Sequence, residues 1–111
     1  MSDSEAGVVL LIATVVERAE AERIGEALVE KRLAARGSVL PGVHSFYRWE
    51  GKLQREHMAL LLVTTSADRS AAAQAELRAL HSHDDPEILE VQVTGGSSTH
   101  LQWLLNEVRF N

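Results

Sequence analysis

The chain has 111 residues, of which 45% are hydrophobic and 24% charged, and this length and balance fit one globular domain. The absence of cysteine excludes a disulfide scaffold, a cysteine-ligated zinc site and a cysteine nucleophile. The net charge of −5 argues against a nucleic-acid partner, and no apolar run reaches the roughly 20 residues that a membrane-spanning helix needs. With no positively charged secretory signal at its start, we expect a cytoplasmic protein with no membrane contact.

The start of the chain predicts a tail, a strand and a helix. Residues 1–6 are polar and are predicted to be a disordered tail ahead of a single domain over residues 7–111. Residues 8–13 form a short apolar run rich in β-branched side chains, which favours a strand buried on both faces. From about Glu17, apolar residues recur at helical spacing and predict a helix of four or five turns that leaves through Gly37. The apolar positions are Ala21, Ile24, Leu28 and Ala35.

The middle of the chain predicts a long β-hairpin. Residues 39–49 alternate with the period of a strand, Pro41-Gly42 predicts a bulge, and Glu50-Gly51 predicts a tight turn into a return strand that includes residues 58–65. An arm of about a dozen residues reaches roughly 40 Å. A compact chain of this length has a radius of gyration of only about 13 Å. We therefore expect the hairpin to overhang its own sheet and to be covered by self-association.

The second half predicts a helix, a strand and a last short helix. Ser66 or Asp68 could cap the second helix, residues 81–86 form a polar loop, and residues 88–93 alternate as a strand. Gly95-Gly96 separates that strand from the last helix. The buried stripes are predicted at Ala73, Leu77 and Leu80, and at Leu101, Leu104, Leu105 and Val108. The order β-α-β-β-α-β-α predicts an α+β, ferredoxin-like fold with an antiparallel sheet and an extra C-terminal helix.

Several segments of the chain resemble the CutA family of divalent-cation tolerance proteins. The most specific are Leu40-Pro41-Gly42-Val43 and Tyr47-Arg48-Trp49-Glu50-Gly51-Lys52, supported by Arg32-Leu33-Ala34-Ala35, Pro86-Glu87-Ile88 and Leu101 with Trp103 and Leu104. The resemblance covers residues 8–108 without a clear gap. It implies a ferredoxin-like fold, a tight homotrimer joined through the long strands, no established enzymatic activity and a role in metal-ion tolerance.

The chain departs from the family pattern where the family carries thiols. Arg36 stands where the family often has cysteine, Ala13 stands where some members carry another, and Ser38 replaces a common asparagine. His81 matches a family histidine, whereas His83 replaces a tyrosine. Thiolate-based copper binding therefore does not transfer to this chain, and any metal binding depends on histidines and carboxylates.

The sequence His81-Ser82-His83-Asp84-Asp85 is the strongest candidate for metal binding. Imidazole and carboxylate groups suit Zn, Ni or Cu(II), so His81, His83 and Asp84 are the predicted ligands of a copper or zinc ion. The alternative is a solvated loop, because five histidines in 111 residues will often place two together.

The aromatic and charged residues of the hairpin admit two interpretations. They pack across a subunit interface, or they line a cleft between subunits that binds a small anion or a protein partner, as in a signalling or scaffold trimer. The candidate cleft residues are Tyr47, Arg48, Trp49, Lys52, Glu87 and Trp103. No serine lies in a nucleophile elbow, so we expect a protein that acts by binding rather than by catalysis.

Overall fold

A computed structural model describes residues 7–109, so the tail predicted over residues 1–6 lies outside the described residues. The elements are β1 (Val8–Val15), α1 (Arg18–Glu30), β2 (Arg36–Trp49), β3 (Lys52–Ser66), α2 (Ser70–Leu80), β4 (Ile88–Val93) and α3 (Ser98–Glu107). The four strands form one sheet in the order β2-β3-β1-β4, and each neighbouring pair is antiparallel. The predicted α+β, ferredoxin-like fold with an extra C-terminal helix is confirmed.

The two faces of the sheet differ in what covers them. On one face, which we call the helix face, Val9, Leu11, Ala13 and Val15 of β1 are buried in one core with side chains of α1 and α2. The intervening residues Leu10, Ile12 and Thr14 lie on the other face and are only half-buried. We call this second face the open face. The prediction that β1 is buried on both faces is therefore wrong for most of its length, because the described residues place two helices on the same side.

The third helix covers one end of the open face. Val8 and Ala35 are buried there against Leu104 of α3 and Val108, the residue that follows the helix. Two arginines from elsewhere in the chain complete the end of α3, since Arg32 Nε donates to the Glu107 carbonyl (3.0 Å) and Arg69 Nε to the Val108 carbonyl (2.9 Å). The last carbonyls of a helix have no hydrogen-bond partner within the helix, and these two arginines supply one at the C-terminal end of α3.

The first helix is shorter than predicted. It ends at Glu30, and Arg32 takes a left-handed conformation (φ 60°). The amides of Leu33 and Ala34 both donate to the Leu28 carbonyl, at 2.9 and 3.2 Å, which turns the chain out of the helix. The predicted exit through Gly37 is wrong, because Gly37 lies in β2.

The hairpin confirms the predicted bulge, turn and overhang. The register between β2 and β3 shifts between Leu40 and Val43, at Pro41-Gly42, and Glu50 and Gly51 both have positive φ in the connecting turn. The two arms exceed the predicted ranges, since β2 starts at Arg36 and β3 at Lys52. Only residues 59–66 of β3 pair with β1, so residues 52–58 and 43–49 project beyond the sheet. The molecule is consequently elongated, measuring 47 × 25 × 22 Å.

The second helix differs from its prediction at both ends. It begins at Ser70 without a side-chain cap, and Ser66 Oγ donates to the Asp68 carboxylate instead of capping the helix. Ala73 and Leu77 are buried as predicted, but Leu80 is 42% exposed because the helix ends there. Among residues 7–109, no helix has both the length and the apolar character to cross a bilayer.

Candidate functional site

A groove of about 510 Å³ lies on the open face, where the projecting hairpin meets the loop after α2. Its walls include the aromatic rings of Tyr47 and Trp49 and the imidazole of His83. Three carboxylates also line it, from Glu56, Asp85 and Glu87. None of the described residues lining the groove is Lys or Arg, so its character is acidic and aromatic.

The bulge at Pro41-Gly42 determines which hairpin residues reach this groove. Before the bulge Leu40 pairs with Leu60, and after it Val43 pairs with Met58. Three residue steps of β2 therefore lie opposite two steps of β3, and this extra residue reverses which face of the hairpin the later odd- and even-numbered residues of β2 occupy. Because of this shift Tyr47 and Trp49 lie on the open face, whereas Arg48 between them lies on the opposite surface of the hairpin.

Tyr47 and Glu56 form a polar pair in the hairpin wall of the groove. Tyr47 pairs directly with Gln54, so Glu56 is its diagonal neighbour on the same face. Hydrogen bonding to Glu56, assisted by desolvation and by the negative charge of that carboxylate, raises the pKa of Tyr47 above its usual value of 10.0. The neutral phenol, which can donate a hydrogen bond, is thus favoured over the phenolate.

His81 is tied into the fold rather than directed into the groove. Its side chain is only 2% exposed, and Nε2 donates to the Thr14 carbonyl (2.8 Å) while Nδ1 accepts the amide of His83 (3.0 Å). Glu20 adjoins this group and accepts the amide of Ser82 (2.7 Å). Both ring nitrogens are engaged, so His81 can ligate a metal ion only by giving up one of these bonds.

The structure separates the three predicted metal ligands. His83 lines the groove and its ring meets that of His81 edge-on, with centroids 5.5 Å apart. Asp84 is exposed and is not part of the groove lining, where Asp85 is found instead. Among residues 7–109, no three His, Asp or Glu side chains converge closely enough to hold one ion.

The predicted cleft residues are only partly brought together within one subunit. Tyr47, Trp49 and Glu87 line the groove. Arg48 reaches the Gly51 carbonyl at the hairpin tip (3.4 Å), and Lys52 pairs with Trp49 at the same tip. Trp103 stacks on His100 in α3, at the end of the sheet remote from the hairpin.

Three acidic residues with defined positions were missed by the sequence reasoning. Glu56 and Asp85 line the groove; Asp85 belongs to the His81–Asp85 motif but was not chosen as a ligand, and its signal was its position two residues before Glu87. Glu56 lies in the groove because it pairs with Ser45, which follows from the register of the hairpin. Glu20 looked like a polar residue between the apolar positions of α1, yet it is buried. Helical periodicity does distinguish it, because Glu20 lies four residues before Ile24 on the buried side of α1, whereas Glu22 and Glu26 lie on the opposite, exposed side.

A second groove, of about 830 Å³, runs between α1 and the edge strand β2. Gly25 and Gly37 both line it, and a Cβ on Gly37 would lie 3.4 Å from the Cα of Gly25, so the helix and the strand approach each other closely there. Its charged lining residues are Glu22, Glu26 and Glu30 of α1. These carboxylates belong to the exposed side of a surface helix, which is typical of solvated charge.

The split βαβ arrangement, the extended hairpin and the added C-terminal helix define a ferredoxin-like α+β protein with a groove at the base of its hairpin. The sequence model of the CutA1 divalent ion tolerance proteins matches residues 9–107, and the chain belongs to this family. The resemblance read from the hairpin motif is thereby confirmed.

Individual relatives agree with this assignment. The divalent-cation tolerance protein CutA of Pectobacterium atrosepticum is 37% identical over 101 residues, which make up 91% of this chain and 92% of that protein. The chloroplastic protein CutA of Arabidopsis thaliana is 33% identical, and the chain spans 56% of its length. The crystal structure of CutA from Xylella fastidiosa superimposes with a TM-score of 0.88 at 39% identity, covering 92% of this chain and 98% of that one.

Proposed function

We propose that this chain is a non-enzymatic, cytoplasmic homotrimer that binds a divalent copper or zinc ion and so contributes to divalent-cation tolerance. Membership of the CutA family supports the general role. The observation that carries the binding proposal is the chemistry of the groove, where His83 meets the carboxylates of Glu56, Asp85 and Glu87 without a basic side chain. A concave surface lined by one sign of charge raises the local concentration of ions of the opposite sign.

The groove contains suitable ligand side chains, but few of them can contact the same ion. Imidazole and carboxylate both ligate Zn and Cu(II), so His83 and one neighbouring carboxylate form the proposed direct contacts. Water completes the coordination, since three such side chains do not converge on one point among residues 7–109. We expect an open, exchangeable site rather than a closed structural one, which suits a protein that handles a varying supply of ions.

The same charge argues against a small anion in the groove of one subunit. Three carboxylates would repel it, and Arg48 and Lys52, the two basic residues of the predicted cleft, are not among the groove's lining residues. A cation is therefore the better occupant of this groove.

The open face supports the homotrimer. Its uncovered part carries a continuous set of apolar residues from all four strands, namely Leu10, Ile12, Leu40, Leu60, Leu62, Leu89 and Val91. Leu40, Leu89 and Val91 are 49%, 52% and 43% exposed in the single subunit. An apolar sheet face of this kind is normally covered, and closed symmetric assembly of identical chains is the common way to cover it.

Calorimetric titration of the full chain with Cu(II) and with Zn(II) tests the binding proposal. His83→Asn and Glu87→Gln should each weaken binding at the groove by about tenfold or more, because each removes a proposed contact or part of the attracting charge. His100→Asn, which changes an exposed histidine on α3, is the matched control and should leave that binding unchanged. Wild-type protein that releases no heat with either ion, or identical titrations for all variants, would contradict the proposal.

A further inference from the structure

The surface of the hairpin that faces away from the groove carries a pair of histidines. His44 of β2 and His57 of β3 are direct cross-strand partners, and their ring centroids are 4.2 Å apart with the ring planes inclined by 57°. Both side chains are exposed. They alternate with the groove residues Ser45 and Glu56, so they lie on the opposite surface of the ribbon.

The spacing of this pair suits a shared metal ion. Imidazole nitrogens bind Zn and similar ions at about 2.0–2.1 Å, so two of them on one ion lie about 3 Å apart. Rings with centroids 4.2 Å apart can reach that separation by small rotations of their side-chain torsions. The paired strands fix the two backbones, and this preorganisation lowers the entropic cost of bringing the ligands together.

In the part of the chain that the structure describes, the ring nitrogens of this pair, unlike those of His81, are not engaged in hydrogen bonds to the backbone. His81 uses both ring nitrogens in bonds to Thr14 and His83. Within residues 7–109, neither His44 nor His57 is tied to a backbone group, and the contact that each makes is with the other ring. In the single subunit their nitrogens are therefore available to an ion from solvent.

We propose that His44 and His57 form a two-histidine site for a divalent transition-metal ion, Cu(II) in preference to Ni(II) or Zn(II), with water filling the remaining positions. The order follows the general affinity series for nitrogen ligands. The adjoining pair on the same surface is Phe46 and Arg55, and the Arg55 guanidinium lies 5.5 Å from the Phe46 ring centroid. This positive charge repels cations, so an ion can be held only by bonds to the imidazole nitrogens. Mg²⁺ and Ca²⁺ prefer oxygen ligands and are therefore not expected to bind.

The site is tested by titrating the full chain with Cu(II) in a background that lacks the proposed groove ligand, His83→Asn. Adding His44→Asn or His57→Asn to this background should each weaken the remaining binding by about tenfold or more. The variant with both changes should bind no worse than either, because one ligand alone forms no chelate. His100→Asn in the same background is the control and should have no effect. Mg²⁺ in place of Cu(II) should release no heat in any variant.

Two results would overturn the inference. One is a titration that is unchanged when both His44 and His57 are replaced, and the other is a loss confined to one of the two single variants. Zn(II)-induced shifts in the imidazole ¹H–¹⁵N spectrum give an independent readout on otherwise unmodified protein, in which the His44 and His57 signals should move together. Failure of the groove proposal is distinct, since it would appear as an unchanged titration of the His83→Asn and Glu87→Gln variants.

Discussion

His81 shows how a residue selected for its chemistry can have a structural role. It joins the end of β1 to the loop after α2 through two backbone bonds, next to the buried Glu20. In metal-free protein, His81→Ala should lower the free energy of unfolding by about 2 kcal/mol, because it leaves buried backbone groups without partners. His83→Ala, at an exposed neighbour, should change it by less than about 0.5 kcal/mol.

Urea unfolding at one protein concentration, with a chelator present, measures both variants. The outcome discriminates between the two roles considered for His81. A His81→Ala protein that keeps wild-type stability but no longer binds metal would mean that His81 is a ligand rather than a structural anchor.

Tyr47 provides a spectroscopic probe of the groove, since it is the sole tyrosine of the chain. Hydrogen bonding to Glu56 raises the pKa of Tyr47, so Glu56→Gln should lower it toward 10.0 in an ultraviolet titration. Because the folded-state pKa lies above the unfolded value, the stabilising contribution is fully present below pH 10 and is lost as the pH rises through the folded-state pKa. Tyr47→Phe is the spectral blank, and an unshifted midpoint in Glu56→Gln would refute the pairing.

The candidate site could be predicted from the sequence only in part. His83, Glu87 and the hairpin aromatics were identified because they lie in recognisable motifs. Glu56 was not, since its place in the groove depends on the register of β3. Asp85 belonged to the candidate motif, but Asp84 was predicted as the ligand, because the path of the loop after α2 decides which of the two lines the groove. The engagement of both nitrogens of His81 depends on the distant Thr14 carbonyl, which no local pattern reveals.

At the scale of the elements, the hairpin turn contains an avoidable strain. Glu50 has φ 51° and Gly51 has φ 79°, the left-handed pattern of a two-residue hairpin turn. Glutamate is disfavoured in this conformation, whereas asparagine tolerates it. Glu50→Asn should therefore raise the free energy of unfolding by about 0.5 kcal/mol, and Gly51→Ala should lower it by about 1 kcal/mol.

Chemical denaturation of the two turn variants beside wild type tests this expectation. Gly95→Ala is a suitable control, because Gly95 does not have positive φ and a Cβ there would meet open space. Equal stabilities of wild type and Gly51→Ala would contradict the argument.

The elements were predictable where glycine and proline mark a change of direction. Pro41-Gly42 marked the bulge and Glu50-Gly51 the turn, and β4 was predicted with its observed bounds. The end of α1 was missed because Arg32, not a glycine, takes the left-handed conformation. The left-handed conformation of Arg32 depends on tertiary contacts, since Arg32 Nε donates a hydrogen bond to the carbonyl of Glu107, far away in the sequence.

At the scale of the whole molecule, the single subunit leaves two surfaces without a cover. The open face is apolar between the end covered by α3 and the base of the hairpin, and the hairpin itself projects from the sheet. The sequence predicted the projection from the length of its arms. It did not predict the open face, because the apolar runs of β1 and β3 suggest burial on both sides and do not indicate whether helices or other subunits provide it.

Leu89 lies near the middle of the open face, opposite Ile12 of β1, and is 52% exposed in the single subunit. If three subunits bury this face, Leu89→Glu places a charge in the interface and should cost about 3 kcal/mol or more per subunit. Light scattering should give about three times the 12.2 kDa chain for wild type and a single chain for Leu89→Glu at micromolar concentration. Leu80→Glu, at a leucine 42% exposed at the end of α2, should leave the mass unchanged. A wild-type monomer at that concentration would contradict the proposed assembly.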